Sequence, residues 1–236
     1  LGCNGGQIAR TPVADRLAAE GITYRRAYNQ NTVCTPARST MLTGQYVRTH
    51  GAVANGIPLP VDAPSIAAFD CEGRYEETRR VRNRESGYFR GFETSIQAAH
   101  VGSFNGRPVQ HYGLWLRDNH PEWLESFAPL LGAVPGGDTG APETFNNPIP
   151  RDLYHTDWVA DLTIAEFDTY ADDDNWFVWM SFPDPHHPWD PPASELHRVD
   201  WRELDLPAGY IADRDERERV LDEKLRHWRG WYDGTF

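Results

Sequence analysis

The sequence predicts an α/β layer fold, in which helices cover the faces of a sheet. Apolar residues recur at helical spacing in two segments, 11–21 and 155–171, and an unbroken apolar and aromatic run, "WFVWMSF", occupies residues 176–182. A run of this kind is typical of a strand buried on both faces of a parallel sheet. Helices that alternate with such a strand indicate the α/β class. The 236 residues suffice for one large domain or two small ones.

The first helix is predicted over residues 11–21. Thr11 can cap it, Pro12 suits its first turn and Gly21 ends it. Its apolar face consists of Val13, Leu17 and Ala18. The segment "ITYRRAY", residues 22–28, follows as a short strand candidate.

The second helix is predicted within the stretch "CTPARSTMLTG". Thr35 is its expected N-cap, Pro36 its first helical residue and Gly44 its stop. Met41 and Leu42 are expected to supply its apolar contacts.

The later elements are regular only in parts. Residues 70–90 are charged and lack an apolar period, which predicts a surface loop, whereas "HYGLWLRDNHPEWLESF" can hold a helix. The helix over 155–171 has Thr156 as its expected cap. Its apolar face is formed by Trp158, Val159, Leu162, Ala165 and Phe167. A polar helix in "ADRDERERVLDEKLRHWRGWY" carries Val220, Leu221 and Leu225 on one side.

The composition argues against several classes of partner. A formal charge of −12 and a pI of about 5.1 disfavour nucleic acid or an anionic membrane surface as the main partner. No stretch reaches the apolar length of a membrane span, and no signal peptide is visible. Three cysteines do not suggest a disulfide framework, so a reducing compartment, the cytoplasm, is predicted ahead of the periplasm or secretion. Both ends of the chain are interpreted as cut, because no initiator methionine opens it and it stops just after a strong helical pattern.

An arginine stands at an unusual place in the second predicted helix. Arg38 falls in the first turn, where a positive charge opposes the helix dipole. This makes sense if an anion lies at that end, because exposed N–H groups and a guanidinium both bind oxyanions. Cys34 precedes the predicted cap and lies against the same positive end. The pair is interpreted as a reactive site for a tetrahedral oxyanion; the alternative is a buried structural cysteine beside a surface arginine.

A proline-rich loop holds a second candidate site residue. The segment "PDPHHPWDPP" directly follows the predicted buried strand, and ligands of open α/β sheets bind beyond the carboxyl ends of the strands. Prolines on either side restrict His186, as suits a fixed catalytic side chain. The alternative is an exposed loop histidine, which is the only interpretation for His187. No role is assigned to His100, His111 or His120.

Two of these stretches resemble motifs of the sulfatase family. The first resembles the signature Cys-x-Pro-x-Arg with its closing Thr-Gly, at Cys34, Pro36, Arg38, Thr43 and Gly44. The second, "SFPDPHHPWDPP", resembles the loop Phe-x-x-Pro-His-x-Pro, at Phe182, Pro185, His186 and Pro188. The lead-in segments "LGCNGG" and "TPVADRLAAEGITYRRAY" are also similar to the family's, so the resemblance covers roughly residues 1–60 and 150–192.

The resemblance implies a fold and a reaction. The fold is a three-layer α/β/α domain of the alkaline-phosphatase-like class with a mostly parallel central sheet, of which residues 1–236 form an incomplete N-terminal catalytic part. The reaction is hydrolysis of a sulfate monoester. Cys34 would be oxidised to formylglycine by a formylglycine-generating or sulfatase-maturating enzyme, and its gem-diol would attack the sulfur. Arg38 would steady the diol, and His186 would act near the sulfate or the leaving group.

The resemblance also implies a small sulfated substrate and a cofactor. A divalent cation, calcium in preference to magnesium or manganese, would be held by carboxylates and by the formylglycine at Cys34. The family's paired aspartates precede "LGC", its later ligands lie beyond Phe236, and its Gly-Lys-x-His element is missing after Phe69. The acidic "DDDN", residues 172–175, is interpreted as a solvated turn. The chain by itself is therefore predicted to be inactive.

Two alternatives to a sulfatase stay open. One is a phosphonate monoester or phosphodiester hydrolase of the same superfamily, which shares the cysteine motif and differs in the leaving-group pocket. The other is a non-catalytic sulfatase remnant that acts as a binding or scaffold domain.

Overall fold

The computed structural model describes residues 1–60, 63–64, 96–98, 110–127, 144–170 and 178–223. The chain divides into two compact units, Leu1–Gln97 and Ala98–Phe236. Helices of the first unit are α1 (Pro12–Glu20), α2 (Cys34–Thr43) and α3 (Val47–His50). Helices of the second unit are α4 (Gln110–Asn119), α5 (His155–Thr169) and α6 (Arg214–Asp222). Short 3-10 helices span Gly2–Asn4, Pro121–Ser126, Arg151–Leu153, Ala193–Arg198 and Trp201–Glu203.

Helix α1 has the predicted bounds, because the residues that start and stop it act locally. Thr11 is its N-cap and Gly21 ends it. The predicted apolar face is wrong for the described residues, since Val13 and Leu17 are 61% and 62% exposed. The strand predicted at 22–28 is also wrong: this segment is exposed and pairs with no described residue. A strand needs a neighbour for its hydrogen bonds, which a short sequence pattern cannot supply.

Helix α2 starts two residues earlier than predicted. Its N-cap is Val33, and Cys34 is the first helical residue. The side chain of Asn31 turns the chain here by accepting a hydrogen bond from the Val33 N–H at 2.7 Å. Gly44 ends the helix as predicted, in the left-handed conformation with φ of 67° that favours glycine. Of the two predicted apolar contacts Leu42 is buried, whereas Met41 is exposed.

The core of the second unit lies between α4 and α5. Its buried side chains are Tyr112, Leu116, Phe127, Ile149, Tyr154 and Trp158. The helix expected in "HYGLWLRDN" is confirmed as α4, and the C-terminal polar helix as α6, which Asp213 caps by accepting from the Glu216 N–H. Helix α5 has Tyr154 as its N-cap, so the predicted cap at Thr156 is wrong. Ala165 and Phe167 are exposed and leave the predicted apolar face.

Strand pairing in the described residues is limited to two isolated parallel bridges. They join Thr144 to Trp189 and Asn147 to Pro192. Residues 178–182 of the predicted buried strand pair with no described residue, and Met180 within them is exposed. The central sheet is therefore not confirmed by the described residues, which are rich in helices.

Some predictions lie outside the described residues: the charged loop at 70–90, the acidic turn at 172–175 and Leu225 of the last helix. Within the described parts of the chain, no helix has the length and apolar character that crossing a membrane requires.

Candidate active site

The first two turns of α2 carry the predicted nucleophile and its cation. Cys34 is a half-buried free cysteine at the first helical position. Arg38 stands four residues later and is exposed. Side chains at this spacing lie on one face of a helix and point toward its N-terminus. The guanidinium and the sulfur can therefore contact the same small ligand.

The backbone at this helix end offers fewer donors to an anion than expected. The Thr35 N–H donates to Asn55 Oδ1 at 2.9 Å, and the Ala37 N–H donates to the Val33 carbonyl at 3.0 Å. Pro36 has no N–H. The Arg38 guanidinium is exposed, and it can donate to the oxygens of an anion bound near Cys34. Arg38 thus supplies positive charge at this end of the helix.

A buried histidine behind α2 fixes the position of this helix. His50 closes α3 and is only 1% exposed. Its Nδ1 accepts the Ala52 N–H at 3.1 Å, so the proton lies on Nε2, which donates to Thr40 Oγ1 of α2 at 3.1 Å. Burial lowers the pKa of His50, and the backbone groups of His50 and Pro36 offset this only in part. A neutral imidazole therefore joins α3 to the helix that carries Cys34.

This contact predicts a pH-dependent stability. Because the pKa of His50 is lower in the folded chain, the unfolded chain binds the proton more tightly. The contribution of His50 to the free energy of unfolding should be complete above about pH 6.5, the ordinary pKa of histidine, and should be lost as the pH decreases below it. His50→Gln should cost about 1–3 kcal/mol at neutral pH and should flatten this decline, because an amide does not titrate. Urea unfolding at a series of pH values measures both effects.

The matched control for this experiment is His197→Gln, which changes an exposed histidine of the second unit. It should keep the acid decline of the parent protein. An equal slope in the parent, the control and His50→Gln would contradict the assignment to His50.

The loop of residues 184–190 carries His186 in the second unit. His186 is half-buried, and its Nδ1 lies 2.6 Å from the His187 carbonyl oxygen. Because a carbonyl only accepts, Nδ1 carries a proton, and proton exchange by His186 takes place at Nε2. The indole Nε1–H of Trp189 donates to the Pro185 carbonyl at 3.2 Å and closes the loop on itself. The His187 ring lies between those of His186 and Trp189, at 4.4 and 6.0 Å between centroids.

The predicted site residues belong to separate units: Cys34 and Arg38 to the first, His186 to the second. Sequence reasoning missed His50, whose contact with Thr40 depends on how two helices pack. It also missed the two aspartates at the ends of the histidine loop, Asp184 and Asp190, although their places on either side of the two histidines gave a signal.

A divalent cation needs several ligand side chains close together. Within the described segments, no group of three or more histidine, cysteine, aspartate or glutamate side chains comes close enough to hold a metal ion. Calcium prefers six to eight oxygen ligands, so the described residues do not fit it.

A cysteine and an arginine at the start of one helix suit a hydrolase that acts on an oxyanion ester. Comparison with known proteins agrees: the model of the Sulfatase family matches residues 1–198. The chain belongs to the sulfatase family, within the alkaline-phosphatase-like superfamily, whose domains have an α/β fold.

Individual relatives point the same way. The chain is 23% identical to the multifunctional alkaline phosphatase superfamily protein PehA of Trinickia caryophylli, over 93% of this chain and 44% of the relative. It is 25% identical to an arylsulfatase of Clostridium perfringens, over 94% of this chain and 48% of the relative. A shorter stretch, 24% of this chain and 9% of the relative, is 43% identical to mouse (Mus musculus) steryl-sulfatase. The chain thus spans about half the length, or less, of these curated relatives.

Proposed function

We propose that the protein containing this chain is a sulfuric ester hydrolase in which Cys34, oxidised to formylglycine, supplies the nucleophile. The observation that carries the proposal is the placement of Cys34 and Arg38 on one face of α2, in a segment that the family match covers. A helix start that presents a reactive side chain and a bidentate cation together suits a tetrahedral oxyanion.

The side chains divide the reaction between them. One hydroxyl of the hydrated aldehyde at position 34 attacks the sulfur and gives its proton to solvent, as the sulfur–oxygen bond to the leaving alkoxide breaks. The other hydroxyl later gives its proton to solvent as the carbon–oxygen bond to sulfate breaks, which expels sulfate and restores the aldehyde. Arg38 neutralises the negative charge that grows on the oxygens in the transition state. His186 gives a proton from Nε2 to the departing alkoxide, while its Nδ1–H stays on the His187 carbonyl. The substrate of the protein is a small sulfated molecule, and the partner that the protein meets during its maturation is the enzyme that oxidises Cys34.

The second candidate function is hydrolysis of phosphonate monoesters or phosphodiesters. The similarity to PehA, named as multifunctional, over 93% of the chain favours it. The same cysteine and arginine would serve it, because both ester classes are tetrahedral oxyanions. The pocket that binds the leaving group would decide which of the two ester classes is hydrolysed.

Mass spectrometry combined with parallel assays tests the proposal. The full-length protein in which these residues occur is produced with a sulfatase maturation system, because we propose that residues 1–236 alone are nearly inactive. The peptide containing Cys34 should be lighter than its thiol form and should react with hydrazides. An aryl sulfate should be hydrolysed faster than an aryl phosphonate ester.

The opposite preference would favour the second function. Unmodified Cys34, in a host that matures other sulfatases, would contradict the proposal and favour a non-catalytic remnant.

A further inference from the structure

Both ends of the histidine loop meet at one hydroxyl group. Asp184 begins the loop of residues 184–190 and Asp190 ends it. The Tyr154 hydroxyl lies 3.3 Å from Asp184 Oδ1 and 3.4 Å from Asp190 Oδ1. One phenol donor is thus shared between the two carboxylates that bracket His186. A loop fixed at both ends on one point has few ways to rearrange.

Three side chains surround the first end of the loop: Tyr154, the N-cap of α5, and His155 and Thr156 of the helix itself. Thr156 Oγ1 donates to Asp184 Oδ2 at 2.5 Å, and His155 Nε2 lies 3.4 Å from Asp184 Oδ1. Burial raises the pKa of the Asp184 carboxyl, but the neighbouring His155 ring, with the hydroxyls of Thr156 and Tyr154, lowers it overall. Asp184 is therefore an anion at neutral pH and a strong acceptor for these donors.

The second end of the loop is buried. Asp190 is 1% exposed, and its Oδ2 accepts a hydrogen bond from Asn147 Nδ2 at 3.3 Å. The backbone on either side pairs with the same segment: the Phe145 N–H donates to the Trp189 carbonyl at 2.9 Å, and the Ala193 N–H donates to the Asn147 carbonyl at 2.6 Å. The chain thus cannot move at Asp190 without breaking buried hydrogen bonds, which is costly.

Tyr154 itself is fixed from the other side. Its ring stacks on Phe127 with 6.0 Å between centroids and contacts the His155 ring at 3.9 Å. Burial first, and then the charges of Asp190 and Asp184, raise the pKa of Tyr154. Its hydroxyl therefore keeps its proton and stays a donor at any pH at which the protein works.

We propose that Tyr154, Thr156, Asp184 and Asp190 form a loop anchor that positions His186 for proton transfer. The inference rests on the proposed function, because it gives the anchor a role in the reaction of His186. The anchor residues are positioning residues, since they act through the loop. Proton transfer needs hydrogen-bond geometry, and a displacement of about 1 Å can cost as much as 10²-fold in rate. The core provides a fixed point from which a surface loop gains this precision.

Two substitutions in the full-length protein test the anchor. Tyr154→Phe removes the shared donor and keeps the ring, and it should lower kcat by about tenfold to 10²-fold with little change in KM. Thr156→Val should also lower kcat, whereas Thr156→Ser, which keeps the hydroxyl, should have the kcat of the parent protein. The matched control is Tyr210→Phe, which removes the hydroxyl of an exposed tyrosine in the same unit and should leave kcat unchanged.

A second measurement reports on the loop without relying on activity. With ¹⁵N-labelled histidine, the His186 ring signal is the one that disappears in His186→Gln. This signal should shift in Tyr154→Phe and Thr156→Val, and it should stay in place in Thr156→Ser and Tyr210→Phe.

The outcomes separate the anchor from the proposed function. The anchor would be overturned if Tyr154→Phe and Thr156→Val left both the His186 signal and kcat unchanged while His186→Ala greatly lowered kcat. That result would leave the proposed function standing. Shifted signals with no kinetic effect of His186→Ala would instead refute the role of His186 in the reaction. If Tyr154→Phe fails to fold, the comparison of Thr156→Val with Thr156→Ser, at a half-buried position, decides whether the anchor acts on His186.

Discussion

Cys34→Ala should abolish sulfate ester hydrolysis, lowering kcat by about 10⁴-fold or more, the scale seen when a nucleophile is removed. Neither alanine nor any neighbouring group at the start of α2 can form the hydrated aldehyde. Stability should change little, because alanine favours a helix and Cys34 is only half-buried. Turnover of an aryl sulfate by the full-length protein, compared with thermal unfolding of the same sample, measures both.

The matched control is Cys3→Ala. Cys3 is the other free, half-buried cysteine of the described residues, and it lies in the 3-10 helix Gly2–Asn4. Its replacement should leave turnover and the hydrazide labelling of position 34 unchanged. Equal losses of activity in the two variants would mean that the cysteines contribute to folding and that Cys34 is no nucleophile.

The local part of the fold could be predicted from the sequence. Pro12 and Gly21 bound α1, and Gly44 ends α2, because proline and glycine act through their own backbone preferences. The start of α2 was missed, since the side chain of Asn31 turns the chain at Val33, two residues before the expected cap at Thr35. The strand predicted at 22–28 was wrong, because a strand exists only through a partner, and a short sequence pattern does not show whether one is available.

The candidate site divides in the same way. Cys34 and Arg38 could be found because their spacing along the sequence, Cys-x-Pro-x-Arg at the start of a predicted helix, is itself the signal. The contacts of Tyr154 with Asp184 and Asp190 join residues 30 and 36 positions apart, and no periodicity in the sequence encodes them. The sequence therefore indicates which residues react, whereas the packing of the core decides which residues hold them in place.

This distinction bears on the two adjacent histidines of the loop. Both are half-buried and their rings touch, so exposure does not separate them. Their parts in one hydrogen bond distinguish them. His186 donates from Nδ1 of its side chain, whereas His187 accepts with its backbone carbonyl. Replacing the His187 side chain leaves that carbonyl in place. The role of His187 in orienting His186 should thus survive the loss of its own imidazole.

His186→Ala should accordingly lower kcat by about 10²-fold or more, the usual contribution of a general acid or base, and His187→Ala should have a much smaller effect. The loss should be larger for a sulfate ester with a poor leaving group, such as an alkyl sulfate, than for a nitrophenyl sulfate. A stable phenolate leaves without a proton, whereas an alkoxide needs one. The pH–rate profile of His186→Ala should also lose one of its limbs. Two results would show that the loop supports the structure and transfers no proton. One is an equal loss of kcat in His186→Ala and His187→Ala, and the other is a loss of kcat in His186→Ala that is the same for every leaving group.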